Sequence, residues 1–573
     1  MTPRASLRVA LLLALCSFVI GCSDPADTTP ADAGPRVDAT PMPRDALVDA
    51  PPIDAPAIDA PISSDAGVTI PPDDPGAADV RFEVSSVRTP RRAISPWIYG
   101  SNQAEPGSLH GETMVRLGGN RWTAYNWETN ASNAGSDYLY QNDTYLGGGT
   151  TPGGAVRGPV EAAHAAGLGA LVTIPIAGYV AADTTGPTDS AGGDRATRFF
   201  PTEPSSGGPL GGAPSLTDGR VYADEYADWV RRTLMPGGTV FFSLDNEPDL
   251  WSSTHSEIHP DPVTYAELVE RNIDFATAIT AAVPDAVVFG PVNYGYAGYL
   301  NLQSAPDAAG RNFLEHYLGA MRAAETTAGR RLVDALDVHW YPEAQGGGVR
   351  ITGEETGDAT AEARMQAPRS LWDTSYVETS WITDCCSDGA IRLLPRIEAM
   401  IDTYYPGTAI ALTEYNYGGG GHISGGVAQA DVLGIFGRES VFAAMWWQLS
   451  AERAYIDAAF EMYRDFDGAG AVFGNVGIDA SSSAIATASV YASIDSSAAP
   501  SDRMTIVAIN RSAASVSAGI RVEHTVRYSS ARVFRLEGGT PRPVADGSVP
   551  ITLTNAFTID LPPRSVTTLE LLR

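Results

Sequence analysis

The chain has 573 residues, of which 44% are hydrophobic and 18% are charged, a balance typical of a folded globular protein. This length exceeds what one hydrophobic core usually supports, so we expect more than one domain. The formal net charge of −30 at pH 7 argues against a nucleic-acid-binding protein, because such proteins need clustered Lys and Arg to neutralise phosphates.

An export signal is predicted at the start of the chain. Arg4 and Arg8 precede an apolar run, Val9–Ile20, which is too short to span a bilayer and has the length of a secretory-signal core. The following Gly21-Cys22 resembles the end of a bacterial lipobox, in which the cysteine becomes the lipidated first residue. We expect residues 1–22 to be this signal and Cys22 to anchor the exported protein in the membrane of the cell envelope or surface. Cleavage nearby, with secretion, is the alternative.

Residues 23–78 are predicted to be a disordered tether. They contain eleven Asp but no Glu and no aromatic residue, and they repeat Asp-Ala-Pro three times. A segment so acidic and so rich in proline buries too little apolar surface to offset its chain entropy. We expect an extended, self-repelling spacer that accounts for part of the net negative charge.

Short apolar runs then alternate with helical patterns, which indicates an α/β fold with a TIM-like (β/α)8 barrel over residues 96–470. The eight predicted strands are Trp97–Gly100, Met114–Leu117, Ala170–Ile174, Val240–Leu244, Val287–Gly290, Ala335–Val338, Ala409–Thr413 and Phe442–Trp446. The predicted helices are Val160–Ala166, Asp224–Leu234, Val263–Val283, Arg311–Ala328, Ile391–Tyr404, Val427–Glu439 and Tyr455–Tyr463.

Residues 471–573 change to alternating β-runs separated by turn residues, which predicts a smaller antiparallel β-sandwich domain. Its predicted strands are Ser489–Ile494, Met504–Asn510, Gly519–Glu523, Ala531–Leu536, Phe557–Leu561 and Val566–Leu572. Another strand, Val80–Val87, lies within residues 79–95 and has no partner in the barrel count. We expect it to join the sandwich, so that both ends of the globular region form one domain.

Two glutamates directly follow predicted strands. The fourth strand runs into Asp245-Asn246-Glu247-Pro248, and the seventh ends at Thr413-Glu414. The carboxyl ends of barrel strands carry the chemistry of this fold, and two facing carboxylates are the minimum for glycoside hydrolysis. These positions predict a glycosidase with Glu247 and Glu414 as its catalytic pair.

Several motifs together resemble glycoside hydrolase family 44. They are Arg116–Arg121, Tyr125–Asp137, Asp245–Pro248, Asp337–Pro342, Thr413–Gly418 and Ser424–Asp431, and the resemblance extends over residues 79–573. It implies a TIM-like barrel with a β-sandwich built from both chain ends. It also implies an endo-acting enzyme, without a required cofactor, that cleaves internal β-1,4 bonds of glucans, often including xyloglucan, with retention. Carried over, Glu247 would be the acid/base and Glu414 the nucleophile.

The mechanism assigns roles to further residues. Retention needs one protonated and one ionised carboxyl group, about 5 Å apart. We expect Asn246 to bond the 2-hydroxyl of the sugar and Arg116 to keep Glu414 ionised. Aromatic side chains near the strand ends would stack on the flat faces of glucosyl rings. The remaining substrate-binding candidates are Trp122, His339, Tyr341, Trp381, Tyr415 and Trp447.

No metal site is identified by spacing. The oxygen-rich positions Glu128, Asp137 and Asp143 are candidates for a structural calcium ion, although a hydrogen-bonded loop is the simpler interpretation. His255 and His259 lack the spacing of a zinc protease and are interpreted as surface histidines.

Two adjacent cysteines, Cys385 and Cys386, remain after the signal and the anchor have taken the others. They either close a small ring with each other or stay as thiols. We interpret them as a structural feature of a loop at the rim of the active site.

Other functions stay open. An endo-acting hydrolase could prefer mannan, xylan or mixed-linkage glucan, because outer subsites are built by loops. A protein of another class, a non-catalytic polysaccharide-binding surface lipoprotein, would be expected to lack one of the two glutamates, and both are present. We expect a monomer.

Overall fold

The computed structural model describes residues 68–88, 91–103, 108–496 and 503–573. The predicted signal and most of the predicted tether lie outside these residues. Within the described ranges, no helix is long and apolar enough to cross a membrane.

Eight parallel strands form a closed barrel. Each strand pairs with a neighbour on either side, and the circle closes between the first and the eighth. The strands are Gly100–Asn102, Met114–Leu117, Gly169–Ile174, Phe241–Leu244, Val287–Asn293, Ala335–Trp340, Ala409–Tyr415 and Ala443–Trp446. The predicted fold class, an α/β barrel with a second, smaller β-sandwich domain, is confirmed.

The first barrel strand begins later than predicted. Pro96–Ile98 form a 3-10 turn instead, and Ser95 caps it by accepting a hydrogen bond at 3.2 Å from the backbone N–H of Trp97. Trp97 and Ile98 are both buried, and Trp97 packs with the first residues of the barrel strands, so its hydrophobicity reflects packing below the barrel and not strand membership. The strand itself starts at Gly100.

Helices return the chain along the outside of the barrel. Their starts follow local sequence signals: Thr264 and Asn312 each accept a hydrogen bond from the backbone N–H of a glutamate three residues on, as N-cap residues do. The main helices are Gly154–Ala165, Ala223–Trp229 with its π-helical continuation Val230–Leu234, Tyr265–Ala282, Phe313–Ala328, Leu393–Tyr404, Ile423–Arg438 and Ala454–Arg464.

Shorter elements decorate the loops between barrel strands. The short helices are Asn120–Thr123, Arg195–Arg198, Trp251–Thr254, Tyr296–Asn301, Asp358–Gln366 and Trp381–Cys385. Further 3-10 turns are Gly135–Asp137, Pro248–Leu250 and Ala367–Leu371. Small strands form two three-stranded sheets and one two-stranded sheet: Ser132–Asn133, Gln141–Asp143 and Gly186–Pro187; Tyr179–Ala181, Phe199–Glu203 and Val221–Tyr222; and Gln345–Gly346 with Val349–Arg350.

The sandwich is built from both chain ends. Its strands, in spatial order, are Thr540–Pro550, Ser530–Glu537, Ser565–Leu572, Met504–Asn510, Ala488–Ile494, Val476–Ser482, Val80–Ser85, Val516–Glu523 and Ala556–Leu561. The N-terminal strand Val80–Ser85 pairs antiparallel with Val476–Ser482 but parallel with Val516–Glu523, so the sheet is not purely antiparallel.

Three sandwich strands were not predicted, namely Arg92–Ala93, Val476–Ser482 and Thr540–Pro550. The strand Val476–Ser482 links the two halves of the sandwich: its first residues pair with Ala488–Ile494, and its later residues pair with the N-terminal strand. A shared hydrophobic cluster fills the interior, with Phe82 and Ile506 among its buried members.

The sandwich packs directly on the barrel. Asp431, in helix Ile423–Arg438, is fully buried and accepts hydrogen bonds from Ser489 at 2.6 Å and Tyr491 at 2.8 Å. Arg511 forms an ion pair with the same carboxylate at 2.5 Å. Since these three donors come from the sandwich, one barrel carboxylate ties the two domains together.

The last residues of the predicted tether also contact the sandwich. Ile70 donates a backbone hydrogen bond to His524 at 2.8 Å, and Asp73 donates one to Thr554 at 2.9 Å. Thr554 donates back to the Asp73 carboxylate at 2.7 Å. Packing on the sandwich therefore begins several residues before Val80.

Candidate active site

The two predicted glutamates meet at the carboxyl end of the barrel. Glu247 follows the fourth strand, and Glu414 is the penultimate residue of the seventh. One oxygen of Glu247, one oxygen of Glu414 and one ring nitrogen of His339 all lie within 4.8 Å of one another. The side chains of both glutamates are largely buried, with residue exposures of 7% and 2%.

The turn that carries Glu247 is held in an unusual conformation. Asp245 and Glu247 have positive φ angles of 71° and 43°, in the left-handed region that non-glycine residues rarely adopt. The Asp245 carboxylate holds the turn by accepting backbone hydrogen bonds from Ile176 at 2.5 Å, Ala177 at 3.0 Å and Asn246 at 2.8 Å. This bonding fixes the directions of Asn246 and Glu247.

Glu414 accepts two strong hydrogen bonds. Arg116 donates to its Oε1 at 2.7 Å, and the Tyr341 hydroxyl donates to its Oε2 at 2.8 Å. The Arg116 side chain is fully buried and also donates to Asn102 at 3.0 Å and to Asn246 at 2.8 Å. A cation and a hydroxyl in direct contact favour the ionised form of this carboxyl group.

Glu247 has a different partner. Its Oε1 lies 2.8 Å from Nδ1 of His339, and burial together with Arg116 lowers the pKa of that imidazole well below its ordinary value. Burial and then the charge of Glu414 raise the pKa of Glu247 well above its ordinary value. Burial also raises the pKa of Glu414, but the Arg116 guanidinium and the Tyr341 hydroxyl oppose that increase. These influences favour Glu247 over Glu414 as the carboxyl group that stays protonated.

A pocket opens directly over these carboxyl groups. Besides Glu247, Glu414 and Asn246, its lining includes Trp447, Tyr145 and Leu146. The Tyr145 ring is stacked by the Arg121 guanidinium at 4.2 Å. Aromatic walls beside paired carboxyl groups suit a sugar ring, whose flat face is apolar.

Comparison with known proteins identifies the family. A family model for glycoside hydrolase family 44 matches residues 131–344. Endoglucanase A of Paenibacillus lautus is 40% identical over 508 residues, which cover 85% of this chain and 72% of that protein. The chain belongs to glycoside hydrolase family 44. It is therefore a glycoside hydrolase, as the strand-end glutamates predict.

Solved structures of family 44 share the whole described architecture. A Paenibacillus polymyxa xyloglucanase, determined with xyloglucan, is 39% identical with a TM-score of 0.82, covering 86% of this chain and 99% of that one. A Clostridium thermocellum endoglucanase is 38% identical with a TM-score of 0.83, covering 86% and 100%. Family 44 membership thus extends over barrel and sandwich together.

One curated relative is much longer than this chain. The beta-mannanase/endoglucanase A of Caldicellulosiruptor saccharolyticus is 38% identical over 504 residues, which cover 82% of this family 44 chain but 37% of that protein.

This pocket is not lined by three other aromatic residues that were predicted to bind substrate, namely Trp122, Tyr415 and Trp381. Trp122 is 3% exposed and packs edge-on against Tyr125 at 4.9 Å between ring centroids, and Tyr415 is fully buried beneath Gln429. Neither offers a ring face to a sugar. Trp381 is half-buried beside Tyr296 at 6.4 Å and is not part of the lining of the catalytic pocket.

The three calcium candidates do not form one cluster. Asp143 is ion-paired with Arg121 at 2.7 Å, and Asp137 accepts a hydrogen bond from Asn120 at 3.1 Å. Glu128 is 2% exposed, and its Oε1 has no hydrogen-bond partner among the described residues. Burial raises the pKa of Glu128 to about 8, helped by the charges of Asp218 and Glu225. Of the three, Glu128 alone has a buried oxygen without a hydrogen-bond partner, and none of the three belongs to a group of possible metal ligands among the described residues.

Two smaller predictions have clear outcomes. His255 is not a surface residue: it is fully buried, bonds Glu257 at 2.8 Å and holds the backbone carbonyl of Asn120 at 2.7 Å. The polar residues beside it in the sequence, such as Ser256 and Glu257, made the segment look like a solvated loop. Cys385 and Cys386 form a disulfide with each other, the first of the two alternatives.

Several site residues escaped the sequence reasoning. Asn102 positions Arg116 and donates to the backbone of Thr413 at 2.9 Å, while Tyr145 lines the pocket. Asp337 and Thr413 lie beneath His339 and bond to each other at 2.8 Å. Asp337 shares the two-residue spacing of His339 and Tyr341, so its place on the same strand face was an available signal.

Proposed function

We propose that Glu414 is the nucleophile and Glu247 the acid/base of an endo-acting enzyme that hydrolyses internal β-1,4 bonds of glucans with retention. The observation that carries this assignment is the approach of the two carboxyl groups, whose oxygens lie within 4.8 Å. Inverting enzymes need about 6.5–9.5 Å between these groups to admit a water molecule, whereas retaining enzymes need about 5–5.5 Å.

In the first step, Glu414 attacks the anomeric carbon while Glu247 protonates the departing glycosidic oxygen. Arg116 and Tyr341 keep the attacking carboxylate ionised and correctly oriented, since both donate to it directly. The raised pKa of Glu247 keeps its proton in place until the leaving oxygen develops charge.

In the second step, Glu247 accepts a proton from water, which attacks the glycosyl ester and releases Glu414. Formation of the ester removes the negative charge of Glu414, one of the causes that raise the pKa of Glu247. The same residue can then act as a base. The chain's own groups and water account for every proton, so this mechanism needs no cofactor.

Asn246 is suited to recognise the sugar 2-hydroxyl. Its Oδ1 accepts from Arg116 at 2.8 Å and from the backbone N–H of Gly119 at 3.2 Å, which fixes the orientation of the amide. Its Nδ2 lies 3.4 Å from Asn120 Oδ1 and has a second hydrogen for a ligand. Trp447 and Tyr145 supply the apolar faces of the same subsite.

For the substrate class we favour β-1,4-glucans such as cellulose derivatives and xyloglucan. The support is the similarity over the full described architecture to a xyloglucanase and to endoglucanases of the family. Mannan stays an alternative because one relative is named for both activities. A reducing-end assay on carboxymethylcellulose, xyloglucan, lichenan, mannan and xylan distinguishes these substrates.

The assignment of roles is tested with activated aryl oligosaccharides and azide. Glu414→Gly with azide should give the product of inverted configuration, whereas Glu247→Gly with azide should give the retained one. Both Gln variants should lose hydrolysis of unactivated polymer by at least about 10³-fold. Near-normal turnover of polymer by either Gln variant would overturn the assignment of that glutamate.

A structural calcium ion stays a prediction, now centred on Glu128. Its buried, unpartnered oxygen and the nearby charges of Asp218 and Glu225 are the support. Calcium should raise the melting temperature of the wild type and not that of Glu128→Gln, while EDTA should reverse the increase. An equal response of both proteins would remove Glu128 from the site.

We further propose that the protein is an exported, monomeric lipoprotein with its lipid on Cys22, on the strength of the lipobox-like sequence alone. Membrane fractionation and radiolabelled palmitate should give a labelled membrane protein, and Cys22→Ser should abolish the label. Labelling that persists in the variant would exclude this anchor. Size-exclusion chromatography with light scattering tests the monomer.

A further inference from the structure

A continuous chain of polar groups leads from Glu247 into the barrel. Glu247 Oε1 lies 2.8 Å from Nδ1 of His339, and Nε2 of the same ring lies 3.2 Å from the Thr413 hydroxyl. That hydroxyl lies 2.8 and 2.9 Å from the two oxygens of Asp337. Three hydrogen-bonding contacts therefore connect two carboxyl groups.

The inner part of this chain is closed to solvent. His339, Thr413 and Asp337 are all 0% exposed, so an unsatisfied group there cannot turn to water. The charged groups that act on Glu247 are Glu414, Asp249, Arg116 and Asp137, and those that act on Asp337 are Arg116 and Glu414. Arg116 also acts on His339, whose Nδ1 lies 3.4 Å from Oε2 of Glu414, a longer contact than the one with Glu247.

The contacts can be satisfied in two ways, each with one proton shared by the carboxyl groups. In the first, the Glu247 acid donates to Nδ1, Nε2–H donates to Thr413, and the Thr413 hydroxyl donates to ionised Asp337. In the second, each hydrogen has crossed its own hydrogen bond to the partner that lies nearer Asp337. The Asp337 acid then donates to Thr413, the Thr413 hydroxyl donates to Nε2, and Nδ1–H donates to ionised Glu247.

Removing the shared proton leaves the chain one hydrogen short. A neutral imidazole supplies one hydrogen and a hydroxyl supplies another, but there are three contacts to fill. At one of the three contacts, two lone pairs then face each other with no hydrogen between them. An imidazolium would supply the missing hydrogen, but burial and Arg116 hold the pKa of His339 far below its ordinary value.

We propose that Asp337 and Thr413 are positioning residues that act through His339 to keep the acid proton on Glu247 at alkaline pH. This inference rests on the proposed acid/base role of Glu247. It assigns a function to two residues that touch neither the substrate nor the reacting atoms.

The first arrangement is the resting one. Burial raises the pKa of Asp337 to about 7, but Asp337 Oδ1 also accepts the backbone N–H of Thr413 at 3.2 Å, which favours the ionised form at this end. At the other end, Glu414 lies beside Glu247 and disfavours a second negative charge. His339 should therefore carry its hydrogen on Nε2 in the free enzyme.

The pH dependence of kcat/KM on polymer tests the proposal through its alkaline limb, which reports loss of the acid proton. Thr413→Val removes a hydrogen and two contacts, so His339 can turn its single N–H toward ionised Glu247. We expect the alkaline limb to shift to lower pH by about one unit, so that kcat/KM at pH values above the limb falls about tenfold. Thr413→Ser keeps the hydroxyl and should keep the wild-type limb.

Asp337→Asn is the second variant, and it is nearly isosteric. The Asn oxygen can accept the Thr413 N–H while its NH2 donates to the Thr413 hydroxyl, which imitates protonated Asp337. The ring hydrogen should then lie on Nδ1, and the alkaline limb should again move to lower pH. Ring 15N spectra give the tautomer directly, with His339→Gln identifying the signal among the eight histidines.

The outcomes separate this proposal from the function on which it rests. If Glu247→Gln keeps a wild-type alkaline limb on polymer, the acid/base role of Glu247 is wrong. If Glu247→Gln loses polymer activity but Thr413→Val and Asp337→Asn keep the wild-type limb, the positioning role alone is overturned. The same tautomer in the wild type and in Asp337→Asn would also overturn it, and this readout needs only a folded protein.

Discussion

Two of the buried arginine–carboxylate contacts among the described residues have opposite consequences. At the domain interface Arg511 meets one carboxylate, Asp431, whose oxygens also receive two hydroxyl groups. At the barrel mouth Arg116 contacts Glu414 directly, and Glu247 lies beside that pair. Matched charges hold two domains together. An excess of negative charge favours retention of a proton instead, and this is the proton that we propose for acid catalysis.

The largest expected effect comes from removing the whole interface. A chain ending after Asp467 would expose the buried carboxylate Asp431 and leave the N-terminal strand Val80–Ser85 without both of its partners. Open strand edges and exposed apolar helix faces promote aggregation. We expect insoluble protein in an expression and sedimentation assay. A soluble, fully active truncate, with the isolated sandwich binding cellulose, would show that the sandwich is a detachable module.

The next effect contrasts the two arginines. Arg511→Met leaves Asp431 buried without a cation and should lower the free energy of unfolding by about 3–5 kcal/mol. Its kcat/KM at low temperature should stay unchanged, because the interface lies away from the pocket. Arg116→Met should lower kcat/KM by about 10³-fold. Equal losses of stability and activity in the two variants would contradict the distinction.

A smaller effect concerns the stability cost of the retained proton. The pKa of Glu247 is raised in the folded protein above its ordinary value of 4.5. The stability that this carboxyl group contributes is therefore fully present below about pH 4.5 and is lost as pH rises through its folded pKa. Glu247→Gln stays neutral, so its gain in the free energy of unfolding over the wild type should grow with pH to about 0.5–2 kcal/mol.

The matched control for that experiment is Asp431→Asn, which removes a carboxylate that is properly paired. Thermal melts between pH 4 and pH 8 should show this variant to be less stable than the wild type throughout. A Glu247→Gln protein that melts below the wild type at pH 8 would count against the excess-charge interpretation.

The smallest effect is expected at the tether. Deleting residues 24–66 should leave the melting temperature and the activity on soluble polymer unchanged, since the composition predicts no packed core. Extending the deletion to residue 78 removes the bonds of Ile70 and Asp73 to the sandwich and should lower the melting temperature slightly. Differential scanning calorimetry on both proteins separates the two segments.

Sequence reasoning located the barrel strands well because their apolar runs are short and end on polar residues. It placed the first strand too early, since Trp97 is hydrophobic for packing below the barrel. It missed Thr540–Pro550, which contains three prolines and is mostly exposed at the sheet edge, so neither alternation nor composition marks it as a strand.

In the candidate active site, the positions of the two glutamates were predictable because a carboxylate at a strand end is unusual, and Arg116 was a candidate through its motif. Asp337 and Thr413 were not assigned a role, since each position is equally consistent with an ordinary residue of a barrel strand. The contact between Asp337 and Thr413 exists because the sixth and seventh strands are neighbours in the closed barrel. Trp122 and Tyr415 show the opposite difficulty, because they were predicted to bind substrate but are buried. An aromatic residue near a catalytic motif can belong entirely to the core.

The N-terminal strand is synthesised long before the strands with which it pairs. Ser85 bonds Glu523, which lies 438 residues later in the chain. At ribosomal rates of about 5–20 residues per second, the strand waits roughly 20–90 s for that partner. Val80–Ser85 alternates its buried apolar residues with Arg81 and Glu83. Those two charges make the waiting strand a poor template for another chain, so its sequence serves the nascent protein as well as the finished one.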